Sequence, residues 1–452
     1  MTKKRFSLST TQIILLSFLA AILTGSLLLA LPVSSANGEA VPYPDALFTA
    51  TTATCVTGLV TVPTATTWRV FGQVVILVLI QVGGLGVVTI LSALMLLFHK
   101  RMGIGDRLLL QDAFNLSSLA GIVQFVKRVL LGTFLVEGVG ALLYMTVFVP
   151  EFGLRGIWIS VFTSISAFCN AGMDIIGENS LCNYATNPMV NTVTGLLIVL
   201  GGMGYIVWWD VLGLGKKYTG KRPRGFRGLS LHSKIAIVST FVLLFGGGAL
   251  ILLFEYNNPL TMGGLSFFDK LQVALFQSVT TRTAGFAGVP QQHLTSGSSV
   301  LCLLLMFIGG SPVGTAGGIK TVTAAVLAVS ALATIRNRQE VSLFNRNISR
   351  QAVNKAVAVA MMSFVILFLS TLLLSAVSDA GVLDVMFETV SATATVGLSR
   401  DLTPQLNTAG KMIIIGTMYL GRVGPISLAL ALNSGKKHQN IMKNPTEEIS
   451  VG

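Results

Sequence analysis

The chain has 452 residues, of which 52% are hydrophobic and only 11% are charged. A soluble protein carries roughly 25% charged residues, so this composition excludes an ordinary soluble domain and indicates a chain that lies mostly in lipid. The net charge is +13, but the basic residues form short stretches between apolar segments and no basic domain, which disfavours nucleic acid as a partner.

Eight apolar segments, each long enough to cross a bilayer of ~30 Å, follow one another along the chain. They cover residues 12–33, 70–98, 128–149, 190–213, 234–254, 299–334, 354–377 and 409–432. Four shorter segments rich in Ser and Thr lie between the pairs, at residues 44–58, 156–172, 269–285 and 383–397. Because these are too short and too polar to span, we predict an all-α integral membrane protein with eight transmembrane helices and four re-entrant pore loops.

The positions of Lys and Arg predict the orientation of the helices. These residues concentrate at both ends of the chain (3–5 and 436–443) and in the alternate connections 99–128, 214–234 and 336–355. Basic loops stay on the cytoplasmic side, so both termini are expected in the cytoplasm and the short segments are expected to enter from outside. The first apolar segment resembles a signal peptide but is longer than a cleaved one usually is. We therefore expect a multi-pass protein of the plasma membrane that retains this helix.

The four short segments end in one repeated pattern: Ser/Thr-rich residues, then a glycine, then a large apolar residue. The sequences are Thr54-Cys55-Val56-Thr57-Gly58-Leu59, Phe168-Cys169-Asn170-Ala171-Gly172-Met173, Thr281-Arg282-Thr283-Ala284-Gly285-Phe286 and Ala394-Thr395-Val396-Gly397-Leu398. Their glycines are 114, 113 and 112 residues apart. One such loop alone would be interpreted as an extracellular turn. Four at one period predict four parallel helix–pore loop–helix repeats in pseudo-fourfold symmetry, at residues 1–113, 114–228, 229–345 and 346–452.

Two further features recur with the repeat. A second glycine pattern follows each filter glycine after 24 to 30 residues, and small residues of this kind serve helix packing in membranes. It reads Gly83-Gly84-Leu85-Gly86, Gly201-Gly202-Met203-Gly204, Gly309-Gly310 and Gly421-Arg422-Val423-Gly424-Pro425. Asp45, Asp269 and Asp384 stand where an N-cap residue would begin three of the short helices.

Loops that meet at one axis would point backbone carbonyls into a pore, where they replace the hydration shell of an ion. Non-helical backbone is tolerated at membrane depth only where protein buries it or water reaches it, and glycine permits the geometry. The negative C-terminal ends of the short helices favour cations. The loops carry no ring of Asp or Glu, which favours a monovalent cation over calcium. The residues expected to bind the ion are Thr54, Cys55, Val56, Thr57, Gly58, Cys169, Asn170, Ala171, Gly172, Thr281, Thr283, Ala284, Gly285, Ala394, Thr395, Val396 and Gly397.

The second helix of the third repeat is interrupted by glycines and a proline, which cannot hold a regular helix. The interrupting residues are Gly309, Gly310, Ser311, Pro312, Val313, Gly314, Thr315, Ala316, Gly317, Gly318, Ile319 and Lys320. They predict a mobile, poorly packed loop beneath the filter, and a kink or a cytoplasmic loop is the alternative. Arg422 lies at membrane depth and is expected to project toward the pore near this loop, unless it snorkels to the interface. Arg282 is expected to turn away from the pore and to bond loop or helix-end carbonyls.

Two other classes of function remain to be weighed. A carrier that alternates access places broken helices and charged residues at the midplane, whereas this chain shows one clearly broken helix and few carboxylates there, so a pore is favoured. A membrane enzyme is disfavoured because no paired carboxylates, histidine cluster or nucleophile–base pair appears. The chain also lacks a nucleotide-binding glycine loop, so we expect no cofactor bound by this chain.

These motifs resemble the KtrB-type membrane subunits of the Ktr potassium transporters, within the Trk/Ktr/HKT superfamily, from about Thr11 to Ser434. The first and third filter patterns, the segment 309–320 and the residues 421–425 carry the resemblance. It implies a homodimer with one pore per subunit, and a cytosolic ring of nucleotide-binding RCK (KTN) subunits docked on the basic face. It also implies that 309–320 is an intramembrane gate, and we expect Arg422, as a buried charge beside it, to belong to that gate.

The resemblance extends to the transported ion. Glycine at all four filter positions goes with potassium, and serine in the first loop goes with sodium preference. All four positions are glycine here, so potassium is expected, and a sodium-coupled or sodium-preferring carrier is the alternative.

The loop 214–228 is expected to contact lipid headgroups or the regulatory ring. Trp208 and Trp209 have no explanation from the sequence.

Overall fold

The structure is a computed structural model and describes residues 9–97, 103–113, 121–214, 225–338 and 340–424. Several sequence predictions lie outside the described residues: the basic residues of 3–5, 99–101, 216–224 and 436–443, and Pro425. The last apolar segment is described only as far as Gly424, and the loop 214–228 only at its two ends.

A long helix, a short helix and a further apolar helix follow one another four times along the chain, and we call each occurrence a unit. Unit 1 contains α1 (Thr10–Leu29), α2 (Tyr43–Cys55), α3 (Thr64–Thr67), α4 (Val70–Leu85), α5 (Val87–Leu97) and α6 (Ile104–Ala113). Unit 2 contains α7 (Ile122–Phe152), α8 (Arg155–Cys169), α9 (Pro188–Met203) and α10 (Tyr205–Gly213). Unit 3 contains α11 (Leu231–Glu255), α12 (Phe267–Thr280), α13 (Ser296–Phe307) and α14 (Thr321–Ile335). Unit 4 contains α15 (Arg350–Val377), α16 (Val382–Ala394) and α17 (Thr408–Val423).

The described residues are otherwise loops, short 3-10 turns and one hairpin. The turns are Pro32–Ser34, Cys182–Tyr184, Gly225–Gly228, Gln291–His293 and Thr403–Gln405. The hairpin pairs β1 (Ser342–Leu343) with β2 (Arg346–Asn347) in antiparallel register, between units 3 and 4. The mostly helical fold agrees with the all-α prediction, from which this small hairpin is a departure.

The first helix of each unit is long and apolar enough to cross a membrane. These helices, α1, α7, α11 and α15, contain 20, 31, 25 and 28 residues. The pair α9 and α10 would be a fifth crossing if it is one span, although it is bent by 92°. The other second helices are shorter than the sequence segments that predicted them, since 70–98 and 299–334 are each divided into two helices.

Glycines explain two of these divisions. Gly86 separates α4 from α5 with φ of 85°, and Gly204 separates α9 from α10 with φ of 89°. Side-chain-bearing residues rarely adopt this backbone region, so glycine permits the helix to end there. The prediction of a single clearly broken helix, in unit 3, is therefore wrong, because the second helices of units 1 and 2 are also broken.

The three aspartates of the short helices do not occupy the N-cap, and this prediction is also wrong. The N-cap residues are Pro42, Ser266 and Gly381, and each aspartate lies three positions later, at N3. A carboxylate at N3 still faces the positive end of the helix dipole and stabilises it. The cap hydroxyl of Ser266 also donates to Asp269 at 2.7 Å.

The short helices are buried although they are rich in Ser and Thr. Several of their hydroxyls donate to backbone carbonyls one turn earlier in the same helix, such as Thr54 to Ala50 at 2.7 Å and Ser160 to Gly156 at 2.7 Å. A buried hydroxyl that is hydrogen-bonded carries little cost. The first helices instead expose apolar side chains, such as Leu131 and Phe364. The short helices therefore form the centre, and the long helices form the perimeter.

An ion pair connects the last unit to the first. Lys411 Nζ on α17 lies 2.6 Å from Asp45 Oδ1 on α2, and both side chains are largely buried, at 16% and 12% exposure. This contact joins units 4 and 1, which are far apart in sequence, so it helps to close the four units around a common centre.

Removing one partner of this pair should destabilise the protein. Lys411→Met leaves a largely buried carboxylate without its cation, and we expect a loss of about 1–3 kcal/mol. The measurement is the thermal melting midpoint in detergent. The double variant Lys411→Met/Asp45→Asn is the control and should recover part of the loss. An unchanged midpoint in Lys411→Met would show that the pair does not hold units 4 and 1 together.

Candidate functional site

The loop after each short helix begins with the same backbone turn. The residue two positions before each filter glycine has a positive φ: 55° at Val56, 59° at Asn170, 61° at Thr283 and 51° at Thr395. Such a conformation costs an L-residue of this kind on the order of 1–3 kcal/mol and persists only where surrounding contacts enforce it. We call residues 56–59, 170–173, 283–286 and 395–398 loops 1 to 4.

Hydrogen bonds from the short helices hold the turns. In loop 1, the backbone N–H of Thr57 donates to the Thr52 carbonyl at 2.8 Å, and the Gly58 N–H donates to the Thr52 hydroxyl at 2.9 Å. Loop 4 repeats this arrangement, since the Gly397 N–H donates to the Ser391 hydroxyl at 3.0 Å. The Ser/Thr content of the short helices therefore serves to fix the path of the loops.

The glycines of the four loops form a closed ring. A Cβ built on Gly58 would lie 2.5 Å from the Ala171 carbonyl oxygen of loop 2, and one on Gly172 would lie 2.5 Å from the Ala284 oxygen of loop 3. A Cβ on Gly285 would lie 2.4 Å from the Val396 carbonyl oxygen of loop 4, and one on Gly397 would lie 2.2 Å from the Thr57 carbonyl oxygen of loop 1. Each glycine thus contacts the carbonyl before the next glycine, in chain order, and loop 4 returns to loop 1.

The second glycine pattern lies against the ends of the short helices. A Cβ on Gly83 would lie 2.0 Å from the Thr54 carbonyl oxygen, one on Gly201 1.9 Å from that of Phe168, and one on Gly421 2.2 Å from that of Thr393. Each of these carbonyls lies four residues before its filter glycine. The glycines therefore let the second helices approach the loops closely. Unit 3 differs, because Gly309 abuts the Gly317 oxygen instead.

A cavity of about 700 Å³ opens on one side of the ring. All four ring glycines line it, together with the side chains of Glu178, His293 and Asp401. Asp174 follows loop 2 and accepts from the Ile176 N–H at 3.2 Å. Burial raises the pKa of the Asp174 carboxyl, while hydrogen bonds oppose that shift. In the described part of the chain, no group of three or more His, Cys, Asp or Glu could hold a metal ion.

Residues 308–320, which connect α13 to α14, lie on the opposite side of the loops, and we call them the connecting segment. The backbone N–H groups of Ser311 and Thr315 donate to the carbonyls of Gly202 and Gly201, at 2.8 and 3.1 Å. The Thr315 hydroxyl donates to the Phe168 carbonyl at 3.0 Å. The helix is interrupted as predicted, but the predicted poor packing is wrong, because the segment is bonded to its neighbours.

The connecting segment also contacts the loops themselves. The Gly317 N–H donates to the Thr283 hydroxyl of loop 3 at 3.1 Å. A Cβ on Gly317 would lie 2.0 Å from the Thr395 hydroxyl oxygen of loop 4. The segment therefore lies directly against the side of the ring that faces away from the cavity, which we call the inner side.

Two cations lie beside the connecting segment. Arg422 donates to the Thr315 carbonyl at 2.6 Å and to the Gly83 carbonyl at 2.6 Å, and so joins the connecting segment to α4. Lys320 Nζ donates to the Ala316 carbonyl at 2.5 Å. Within the described residues, neither cation forms an ion pair with a carboxylate. Backbone carbonyls therefore hold both side chains beneath the ring.

Arg282 turns away from the ring, but its partner differs from the expected one. The guanidinium donates to the Thr240 carbonyl at 3.1 Å and to the Thr240 hydroxyl at 3.3 Å. Thr240 lies in the middle of α11, so the partner is neither a loop nor a helix-end carbonyl. Arg282 thereby fastens the end of α12 to the long helix of its own unit.

Some expected ion-binding residues belong to the short helices and not to the loops. Cys55, Cys169 and Ala394 are the last residues of α2, α8 and α16. The Cys169 thiol points to Glu137 and Gln81, with Sγ–O distances of 3.8 and 3.7 Å, and not to the ring axis. Sequence reasoning missed Glu137, and a carboxylate inside the apolar segment 128–149 is the signal that could have found it.

The two tryptophans without a sequence explanation lie on α10, after the break at Gly204. The Trp208 indole N–H donates to the Leu200 carbonyl at 3.0 Å, and its ring packs edge-on against Phe168 at 5.9 Å between centroids. Trp208 therefore bridges the broken helix and the end of α8.

Comparison with known proteins places the chain among membrane transport proteins. A family model described as TrkH, cation transport protein, matches residues 3–440. The Ktr system potassium uptake protein B of Bacillus subtilis (strain 168) is 38% identical over 442 residues, covering 98% of this chain and 96% of that protein. The potassium/sodium uptake protein NtpJ of Enterococcus hirae is 36% identical over 455 residues, covering 99% and 98%.

A solved structure supports the fold independently. The crystal structure of the potassium transporter TrkH from Vibrio parahaemolyticus superposes with a TM-score of 0.72 and covers 96% of this chain and 87% of that one. The sequence identity is 18%, so this likeness bears on the fold alone.

Proposed function

Because the chain belongs to the TrkH family of cation transport proteins, we propose that it takes up potassium through a channel-like pore formed by the four loops. The family expected from the sequence motifs is confirmed, and the chain is a multi-pass membrane transport protein. The match to transporters supports a function in transport and not in catalysis. The closed ring of glycines and carbonyls is the observation that carries the proposal.

The ring suits a monovalent cation. Carbonyl oxygens from all four loops meet at one place, and loop carbonyls of this kind can replace the water around an ion. The C-terminal ends of the four short helices point their negative dipoles toward the same place. In this proposal the loops are re-entrant and form the selectivity filter, and potassium is the transported ion and no resident cofactor.

The connecting segment serves as the gate in this proposal. It lies against the inner side of the ring, where its backbone closes the path that an ion would take. Arg422 holds it through the Thr315 carbonyl, and the positive charges of Arg422 and Lys320 repel a cation. Opening would require the connecting segment to exchange these hydrogen bonds for others. A conformational change on the cytosolic side can favour that exchange.

The wider assembly is proposed from the resemblance and the pattern of units. Each unit contributes two crossings, giving eight, over residues 1–113, 114–228, 229–345 and 346–452. Both termini lie in the cytoplasm of a plasma-membrane protein. The chain forms a homodimer, its cytoplasmic side binds a nucleotide-binding RCK (KTN) ring, and its basic loops contact membrane lipid.

A sodium-coupled or sodium-preferring carrier is the alternative, because one relative is named as a potassium/sodium uptake protein. The four ring glycines favour potassium. Their four carbonyl neighbours are related by the same geometry, and no side chain from a glycine position narrows the ring.

Uptake measurements test the proposal directly. In a cell that lacks its own potassium uptake, expression of the chain should restore growth at low potassium and rubidium uptake, with sodium competing weakly. Purified protein in planar bilayers should show single-channel currents, which a carrier does not produce. Sodium uptake without potassium uptake would support the alternative, and failure of both would contradict a transport pore.

A further inference from the structure

A buried carboxylate lies behind loop 2. Glu137 is in the middle of α7 and only 4% exposed. The Gln81 amide donates to both of its carboxylate oxygens at 3.2 Å, and the Cys169 thiol donates at 3.8 Å. All of these partners are neutral, and no Lys or Arg of the described chain forms an ion pair with it. Placing an ionisable residue inside a membrane costs free energy, so its presence there indicates a functional role.

Glu137 joins three elements at the point where loop 2 begins. Its backbone carbonyl accepts from the Ser164 hydroxyl of α8 at 2.6 Å, while its side chain contacts Cys169 at the end of the same helix. Gln81 belongs to α4 of unit 1. The left-handed turn of loop 2 starts at Asn170, directly after Cys169. The carboxyl group therefore fixes the end of α8 against both α7 and α4.

The same contacts reach the anchor of the gate. A Cβ on Gly84 would lie 2.6 Å from Cys169 Sγ, so α4 and the end of α8 touch without space between them. The carbonyls of Gly83 and Gly84, three residues or fewer after Gln81, accept from Arg422 at 2.6 and 3.5 Å. A shift of Cys169 would therefore displace both loop 2 and the carbonyls that hold Arg422.

We propose that Glu137 is a positioning residue for loop 2, and that it determines cation selectivity by hydrogen-bonding Cys169 and Gln81. It touches no ion and acts through the backbone of Asn170 to Gly172. This inference rests on the proposed function, because selectivity is a property of the ring. We assign this role to the positions of the acceptor oxygens of Glu137, because its partners Gln81 and Cys169 form no ion pair with it.

Substitutions at Glu137 separate these contributions. Glu137→Gln keeps the chain length and one acceptor oxygen, whereas Glu137→Asp withdraws the carboxyl group by one methylene and Glu137→Ala removes it. We expect the ratio of half-saturating sodium to potassium concentrations to fall about fivefold in the Asp and Ala variants and to stay within about twofold in the Gln variant. The measurement is rubidium uptake by proteoliposomes, with potassium and sodium as competitors, normalised to inserted protein.

The control removes a comparable bond from the same helix. Thr194→Val deletes the buried bond between the Thr194 hydroxyl of α9 and the Tyr144 hydroxyl of α7, which are 2.5 Å apart. It should leave the ratio unchanged, whatever it does to the amount of inserted protein. If Glu137→Ala does not insert, the Asp and Gln variants decide.

Two results would overturn the inference. A wild-type ratio in Glu137→Asp and Glu137→Ala would show that loop 2 does not depend on this contact. An equal fall in Glu137→Gln would show that the charge, and not the hydrogen-bonding geometry, is responsible. The wild-type protein is measured first, and its failure to take up potassium would count against the proposed function instead.

Discussion

Replacing Gly58 by Ser should reduce the preference for potassium over sodium by about tenfold. Gly58 has φ of 99°, and a Cβ there would lie 2.5 Å from the Ala171 carbonyl oxygen. A side chain in this conformation costs on the order of 1–3 kcal/mol, which a shift of the ring relieves. A change of about 1.4 kcal/mol in the difference between the two ions' binding free energies then corresponds to a factor of ten. The neighbour is backbone, so the ring itself must widen. Potassium, which fits the original spacing, loses more than sodium does.

Competition for rubidium uptake measures the effect. Gly38→Ser is the matched control, because Gly38 also has a positive φ, 74°, but a Cβ there meets nothing within 4 Å. The control carries the backbone strain without the contact and should keep the wild-type selectivity. Normal uptake with unchanged selectivity in Gly58→Ser would place Gly58 outside the filter.

Replacing Arg422 by Ala should raise the basal potassium flux by about tenfold and make it less dependent on a cytosolic partner. The guanidinium makes two short bonds, to the Thr315 and Gly83 carbonyls. Bonds from a charged donor contribute about 1.5–3 kcal/mol each, so their loss shifts the balance toward an open connecting segment. The substitution also removes a positive charge from the proposed ion path. Arg422→Lys should be intermediate, because the charge stays but the planar fork is lost.

Flux into proteoliposomes, with and without the cytosolic partner, measures this effect. Arg155→Ala removes an exposed arginine at the start of α8, outside the basic connections, and serves as the control with unchanged flux. A snorkelling arginine predicts wild-type flux for both Arg422 variants, with some loss of expression. Equal flux in wild type and Arg422→Ala under both conditions would exclude Arg422 from gating.

The period of the four ring glycines was readable from the sequence because their conformation strongly disfavours a side chain. The backbone at Gly58 and Gly397 has φ near 100°, and the next carbonyl leaves no room for a Cβ. Both constraints act on the residue itself, so each of the four positions is a glycine in the sequence. The family resemblance and the interruption of the third unit's second helix were likewise predicted from residue types at particular positions.

Other features depended on contacts that no local pattern reveals. The breaks at Gly86 and Gly204 lie within continuous apolar segments, and glycine there is equally consistent with helix packing. Glu137 finds its partners 56 and 32 residues away in the chain, and Arg282 finds Thr240 42 residues away. The connecting segment was expected to be loose from its glycine content. Those glycines instead allow the close approach that its bonds require.

The closed ring has a consequence for how the proposed pore can change. An opening made from four copies of one chain alters in all four places whenever its gene alters. Here the four quarters are different segments of one chain, so one substitution modifies a single quarter and leaves three intact. Among the described residues, unit 3 differs from the other units in this way, because Arg282 directly precedes its loop and a long connecting segment lies beneath that loop. Selection and regulation can therefore be adjusted in different quarters of one opening, and a change in one does not force the same change in the others.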